Sequence, residues 1–149
     1  MPAYTGRDVL IEFAIGDENA VLGSLVFKTL GMMRGKGMNV NWDVVDATGD
    51  KSAQYTRQNL VTFKQVEFSG DGVAYTEAVH NQAELKAHIY NPGAGTGGQP
   101  KAWIRQTAPD GVTVGPFIFS AWESASPFDD VVTWSTSAQS NGAVTFTPA

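Results

Sequence analysis

The chain has 149 residues, 42% of them hydrophobic and 17% charged, with 16 glycines, 7 prolines and no cysteine. That balance describes one globular domain with its own core, and it excludes disorder, disulfide staples, thiolate metal sites and thiol catalysis. The net charge of −5 argues against tight nucleic-acid binding, which needs clustered Lys and Arg to displace counterions from phosphates.

The densest basic set, Lys28, Arg34 and Lys36, is diluted by Gly31, Gly35 and Gly37 and reads as a solvated turn. No apolar run approaches the roughly 20 residues that span a bilayer. The opening residues lack the basic-then-apolar order of a secretory leader, so a chain made in a cytoplasm is expected.

Alternation predicts a first strand over Arg7–Ile15, with Val9, Ile11, Phe13 and Ile15 on one face and Leu10, Glu12 and Ala14 on the other. Gly16-Asp17-Glu18-Asn19 is a turn signal, Val21–Leu30 reads as a second strand, and Gly31–Gly37 as a flexible connection. Met38–Val45 alternates cleanly, with Met38, Val40, Trp42 and Val44 opposite Asn39, Asn41 and Asp43. A polar stretch, Asp46–Asn59, precedes a strand at Leu60–Ser69 whose phase changes between Phe63 and Val66. That change predicts a bulge near Lys64-Gln65.

Thr76–Tyr90 reads as the one helix, with Ala78, Val79, Leu85, Ile89 and Tyr90 on one side and Glu77, His80, Asn81, Glu84 and His88 on the other. Asn91-Pro92-Gly93 stops it. Beyond a loop at Gly93–Pro100, strands are expected at Lys101–Thr107, Gly115–Ser124, Asp130–Ser137 and Ala143–Thr147. Pro109-Asp110-Gly111 and Ser140-Asn141-Gly142 supply turns. Strands, one helix and more strands predict a mainly β fold, a β-sandwich or small barrel with a single flanking helix, as one domain over residues 1–149.

Four features invite a chemical reading. The run from Gly93 to Gly98 contains a literal GxGxxG, but its glycines follow a helix and precede a strand. No helix N-terminus then faces a phosphate, so it reads as a flexible loop and no cofactor is expected. His80 and His88, eight apart, are too far round the helix to share a metal ion and read as exposed. Asp129-Asp130 and Asp46 with Asp50 lack the ligand spacing of a calcium loop. Trp42, Trp103, Trp122 and Trp134 are expected in the core, a sugar-stacking platform being the alternative. No catalytic constellation remains, and no enzyme is expected.

Asp46–Asn59 resists a bland reading. Most hairpin loops have two to five residues, and this one carries mixed charge, Tyr55 and few hydrophobes. A long excursion between strands is expected to contact a partner.

Gly6-Arg7-Asp8-Val9-Leu10-Ile11, Val44-Val45-Asp46-Ala47-Thr48 and Val66-Glu67-Phe68-Ser69-Gly70-Asp71-Gly72 resemble, in that order, the major tail (tail tube) proteins of long-tailed, siphovirus-type bacteriophages. Gly115-Pro116-Phe117 and the ending from Ser140 to Phe146 are also similar to that family, so the likeness spans nearly the whole chain. The resemblance implies a β-sandwich or barrel with one helix, closing with copies of itself into hexameric rings. Rings stack into a hollow virion tube around a tape-measure protein, between a tail tip or initiator and a tail terminator, and DNA later passes through without specific binding. It further implies that the long loop (Asp46, Thr48, Asp50, Lys51, Gln54, Tyr55 and Arg57) reaches an adjacent ring. An N-terminal arm (Pro2, Tyr4 and Thr5) does likewise.

Asn39, Asn41 and Asp43 are either lumen lining or a polar outer face. The other readings are a tube subunit of a contractile injection or secretion device, and a β-sandwich module that binds carbohydrate or a receptor.

Overall fold

The computed structural model describes residues 3–49 and 56–149. Its elements, in chain order, are β1 (Leu10–Ile15), β2 (Lys28–Thr29), β3 (Met33–Asp46), β4 (Asn59–Val73), α1 (Gln82–Tyr90), β5 (Lys101–Ala108), β6 (Gly111–Ala125), β7 (Thr133–Ser140) and β8 (Thr145–Pro148). Every described pairing is antiparallel, and the strands run in the order β2-β1-β5-β6-β7-β4-β3, with β8 against β6.

β6 is the spine. Gly111–Ile118 pairs with β5, Gly111–Val114 is also flanked by β8, and Phe117–Ala125 passes to β7 through an irregularity between Phe119 and Ala121. The long strand thus changes neighbours along its length, and the sheet folds over one core. Ile11 and Phe13 of β1, Val66 and Phe68 of β4, Ile104 of β5, Phe117 and Phe119 of β6, Trp134 of β7 and Leu85 of α1 all belong to it. Fully burying each such side chain contributes roughly 1.5–3 kcal/mol. The fold is the mainly β, one-helix sandwich that the alternation predicts. Among the described residues the sheet stays open, with β2 and β3 at its edges.

Local chemistry overrides the periodicity in several places. β1 starts only at Leu10, because Gly6–Asp8 is a 3-10 turn whose Asp8 carboxylate accepts the amide and hydroxyl of Thr5 at 3.3 Å each. Ala14 is then buried while Ile15 is exposed. The expected strand at Val21–Leu30 shrinks to Lys28–Thr29, and Leu22–Ser24 is a 3-10 turn. The Ser24 hydroxyl donates to the Val21 carbonyl at 2.7 Å, a local bond that competes with a ladder. Gly31–Gly37 is no flexible connection, since β3 begins at Met33. A Cβ at Gly35 would meet the Asp71 carboxylate and one at Gly37 the Ser69 hydroxyl, so these glycines permit close strand approach.

The bulge lies at Thr62-Phe63, opposite Asp43, rather than at Lys64-Gln65. β4 runs on to Val73, β7 spans Thr133–Ser140 rather than Asp130–Ser137, and β8 spans Thr145–Pro148.

The helix is shorter and differently facing than expected. Ala78–His80 is a 3-10 turn, Asn81 takes a left-handed φ of 56°, and α1 starts at Gln82. Its buried residues are Gln82, Leu85 and His88, while Val79 and Tyr90 are exposed. Gln82 explains the change. Its Oε1 accepts the Tyr75 amide at 2.8 Å, and its Nε2 donates to the Gly31 and Val73 carbonyls at 2.9 and 3.0 Å. A glutamine with three backbone partners is a core residue although its type reads as surface. Gln82→Ala strips the partners of these groups, each worth about 1–3 kcal/mol when left unpaired. A lower urea midpoint at unchanged slope is the expected outcome, whereas Ala87→Ser, at an exposed helix position, leaves the midpoint in place.

Candidate assembly surface

β4 has 15 residues but pairs with β7 only from Glu67 to Val73. Asn59–Val66 therefore has β3 as its one described partner and leaves the body as a two-stranded ribbon of about 26 Å at about 3.3 Å per residue. From Asn39 to Asp46 and from Asn59 to Gln65 every side chain is exposed. Trp42 stands at 50% exposure and Phe63 at 75%, with Val40, Val44, Leu60 and Val61 also in solvent. So continuous an exposed apolar surface marks an interaction site.

Register sorts the two faces. Val40, Trp42 and Val44 oppose Val66, Lys64 and Val61 on the side that continues into the core through Met38 and Phe68. The other side carries Asn39 and Asn41 opposite Glu67 and Gln65, with Asp43 next in line. Lys64 clamps the ribbon to the body: its ammonium donates to the Val144 carbonyl at 3.0 Å and sits 5.8 Å from the Trp42 ring centroid. The Val66 amide also donates to the Ser140 hydroxyl at 2.9 Å.

At the ribbon's end, Asp46 accepts the Thr48 amide at 2.8 Å and pairs with Arg57 at 3.5 Å. Thr48 Oγ1 accepts the Gln58 amide at 2.7 Å, which closes the neck of the loop. The hydroxyl and then the amide of Thr48 hold the Asp46 carboxyl below its usual range. Asp50, Lys51, Gln54 and Tyr55, named from sequence for the same loop, lie outside the described residues, as does Pro2. Tyr4 is exposed, and partial desolvation together with a hydrogen bond and the charge of Asp110 push its phenol up. Thr5 is held by Asp8. Tyr4 and Thr5 thus engage their own subunit.

Asn39, Asn41 and Asp43 belong to a larger polar wall that alternation alone left unjoined. Pairing sets Gly37 beside Ser69, Ser137 and Ala121 in one row, and Gly35 beside Asp71, Ser135 and Glu123 in the next. These rows form a shallow cleft of about 520 Å³. Its acids are Asp71 and Glu123, with Glu67 and Asp43 farther along the same face. Arg34 lines the adjoining cleft.

Lys36 turns away from this wall: its ammonium binds the Gly6 and Val9 carbonyls, and burial pushes its pKa down. Lys28 pairs with Glu84 at 2.6 Å. Lys28 and Lys36 are therefore structural rather than part of a solvated turn, while Arg34 is exposed.

His88 is buried and its Nε2 donates to the Lys101 carbonyl at 2.8 Å, while His80 is half-buried edge-on to Tyr75. The expected exposed imidazoles were wrong because α1 turns its other face inward. Among the described residues no group of three His, Asp or Glu could hold a metal ion. The glycine run folds into a 3-10 turn at Ala94–Thr96, pinned by the Thr96 hydroxyl on the Gln99 carbonyl at 2.7 Å, and opens no helix. Trp134 is buried with Trp122 stacked on it at 5.0 Å, and Trp103 Nε1 donates to the Asp17 carbonyl. Trp42 departs from the core, out on the ribbon.

The surface thus combines a ribbon with an exposed apolar face, a low wall carrying Asp43, Glu67, Asp71 and Glu123, and two open sheet edges among the described residues. The sequence matches the phage tail tube protein family over residues 3–146, and the chain belongs to that family. It is a tail tube subunit, a component of the virion. Solved structures share the fold. The tail of an empty gene transfer agent particle, refined with C6 helical symmetry, has a TM-score of 0.70 at 23% identity over 97% of this chain and 99% of that one. The SPP1 tail tube gives 0.64 at 15% identity over 99% and 80%. The baseplate of the anti-feeding prophage gives 0.61 at 8% identity over 99% and 96%. No curated protein matches the chain. No helix among the described residues is long and apolar enough to cross a membrane.

The depressed Asp46 carboxyl has a testable sign. Its stabilisation of the loop neck is complete above the ordinary carboxylate range and is lost as pH falls through the lowered folded value. The Thr48 amide resonance should therefore titrate with a midpoint below that of an unperturbed aspartate. Asp46→Asn should abolish the titration.

Proposed function

We propose that six copies close into a ring and that rings stack into the tube. The observation that carries this reading is the ribbon, whose apolar face has no cover in one subunit. Sheet edges at β2 and β3 lie at opposite ends of the strand order, as head-to-tail closure requires. The C6 symmetry of the gene transfer agent tail supports six as the number. The ribbon end, with Asp46, Thr48, Asp50, Lys51, Gln54, Tyr55 and Arg57, contacts the adjacent ring, and Pro2, Tyr4 and Thr5 form a second, smaller contact.

The polar wall is the lumen lining, with Asn39, Asn41 and Asp43 as its extension along the ribbon. Glycine and serine keep it low, and its carboxylates repel phosphate. At −5 per chain a six-copy ring carries about −30, enough to keep DNA moving at moderate salt. The tube encloses a tape-measure protein, ends on tip and terminator proteins, and performs no catalysis. A tube subunit of a contractile injection or secretion device is the second reading, and the fold shared with a protein of the anti-feeding prophage baseplate is compatible with it. A sugar-binding platform is disfavoured because the four indoles do not share one surface.

Light scattering over a concentration series, with negative-stain imaging of the same samples, tests the proposal. Rings or tubes with a central hole are expected, and deletion of residues 48–57 should leave rings that no longer stack. Solid, unringed aggregates would sink the reading. Replacing Glu67 and Glu123 by Lys should preserve the tubes and make them retain duplex DNA at low salt, read by co-sedimentation.

A further inference from the structure

Asn141-Gly142, in the turn between β7 and β8, is the single Asn-Gly pair of the chain. Residues 141–144 lie outside the strands, so no ladder fixes their backbone. The Asn141 amide donates to the Pro116 carbonyl at 2.9 Å, and its side-chain Nδ2 donates to Glu18 Oε2 at 3.1 Å. Lys101 holds the same carboxylate oxygen at 3.1 Å. The Asn141 carboxamide is thus set in place beside Gly142, which is exposed and whose amide meets no acceptor among the described residues. Gly142 has a φ of 148°, and a Cβ there would meet Pro116 Cγ at 2.8 Å. The position therefore favours glycine, which leaves the nitrogen unshielded.

We propose that Asn141 is a site of spontaneous covalent modification, and that its conversion slackens the base of the ribbon. The deprotonated Gly142 nitrogen adds to Asn141 Cγ, the Cγ–Nδ2 bond breaks, and Nδ2 leaves as ammonia with a proton taken from water. The cyclic imide then takes up one water. Opening of its Cγ–N bond gives aspartate, and opening at the main-chain carbonyl gives isoaspartate, whose main chain runs through Cγ. In sum one water enters and one ammonia leaves, with no change of oxidation state.

Either product puts a carboxylate where the asparagine amide stood. A hydrogen bond from its own backbone amide, and then Lys101, hold the Glu18 carboxyl below its usual range, so Glu18 faces the new group as an anion. An attraction becomes a like-charge repulsion. Isoaspartate also adds a carbon to the main chain between two clamps. Ser140 on one side accepts the Val66 amide at 2.9 Å, and the Val144 carbonyl on the other accepts the Lys64 ammonium at 3.0 Å. Those two contacts hold the ribbon to the body, so a change at Asn141 reaches its base. The inference concerns one subunit and does not depend on ring formation.

No Lys or Arg follows Arg105, so trypsin releases residues 106–149 as one peptide, in which Asn141 is the only asparagine. The folded full chain, held in mildly alkaline buffer, should gain about 1 Da in that peptide before any peptide carrying another asparagine does. The product should also accept a methyl group from an isoaspartyl methyltransferase. Asn141→Gln, whose longer side chain does not close the same ring, should lose the gain. Converted chains carry one more negative charge and separate by ion exchange. In them the Val66 amide should exchange hydrogen about tenfold faster than in the unconverted fraction, as the loss of one hydrogen bond implies, with the Ile104 amide unchanged. An Asn141 that stays intact in the folded chain while the urea-unfolded chain converts would overturn the site, because the fold would then be protecting it. Converted chains with an unaltered Val66 amide would overturn the link to the ribbon.

Discussion

Everything distinctive in this fold follows from a mismatch of strand lengths. β4 is a 15-residue strand, and the neighbour that ties it into the body, β7, pairs with only seven of those residues. The remainder cannot fray into solvent, because a strand with unpaired amides on both sides would lose its ladder. β3 solves this by matching β4 nearly to its end, which makes a ribbon self-sufficient in backbone hydrogen bonds. It is far from self-sufficient in hydrophobic burial. A two-stranded ribbon has no second layer to cover its apolar side, and an isolated hairpin is marginal in water. Lys64 on the Val144 carbonyl and Ser140 on the Val66 amide hold its base, and cover for the rest must come from another molecule.

The same register that creates the ribbon creates the wall. In an antiparallel sheet, residues directly opposite share a face, so one polar position on β3 fixes which residues of β4, β7 and β6 stand in its row. Gly35, Gly37, Ser69, Ser135 and Ser137 come together in this way, although they are spread over about a hundred residues of chain. Small side chains there do two things. They let β3 and β4 approach where Asp71 and Ser69 need room, and they leave a shallow face of low relief.

How much of this was legible in the sequence depends on range. Strands at Met38–Val45 and in the last third were readable because their residue types alternate with period two, and in the last third Phe117, Phe119 and Trp134 are buried as that pattern requires. The ribbon sequence was also readable as a strand, but nothing in the alternation of Val40, Trp42 and Val44 tells a buried face from an exposed one. Only strand pairing shows that β7 stops at Glu67. Misreadings came where a side chain satisfied the backbone: Ser24 turned a strand into a turn, and Gln82 pulled α1 round so that His88 went in and Tyr90 out. Polar residues with backbone partners look like surface to any scale based on hydrophobicity. The wall was half seen, through Asn39, Asn41 and Asp43, and its other half lies in register alone.

The placement of the cations completes the physical picture. A chain with ten basic residues could have scattered some of them over the wall, where each would hold a phosphate. Lys36 sits on β3 between Gly35 and Gly37, one residue from facing that cleft. The strand's parity sends its side chain to the opposite side, where it binds two carbonyls at the N-terminal turn. Lys64 alternates inward in the same way and anchors the ribbon, while Lys28 and Arg105 are taken up by Glu84 and Glu12. A one-residue register slip in β3 would flip Lys36 onto the wall and expose Met38 there as well. The register that sets Gly35 and Gly37 on the wall therefore also keeps Lys36 off it, and the packing and the placement of this cation are two consequences of one register.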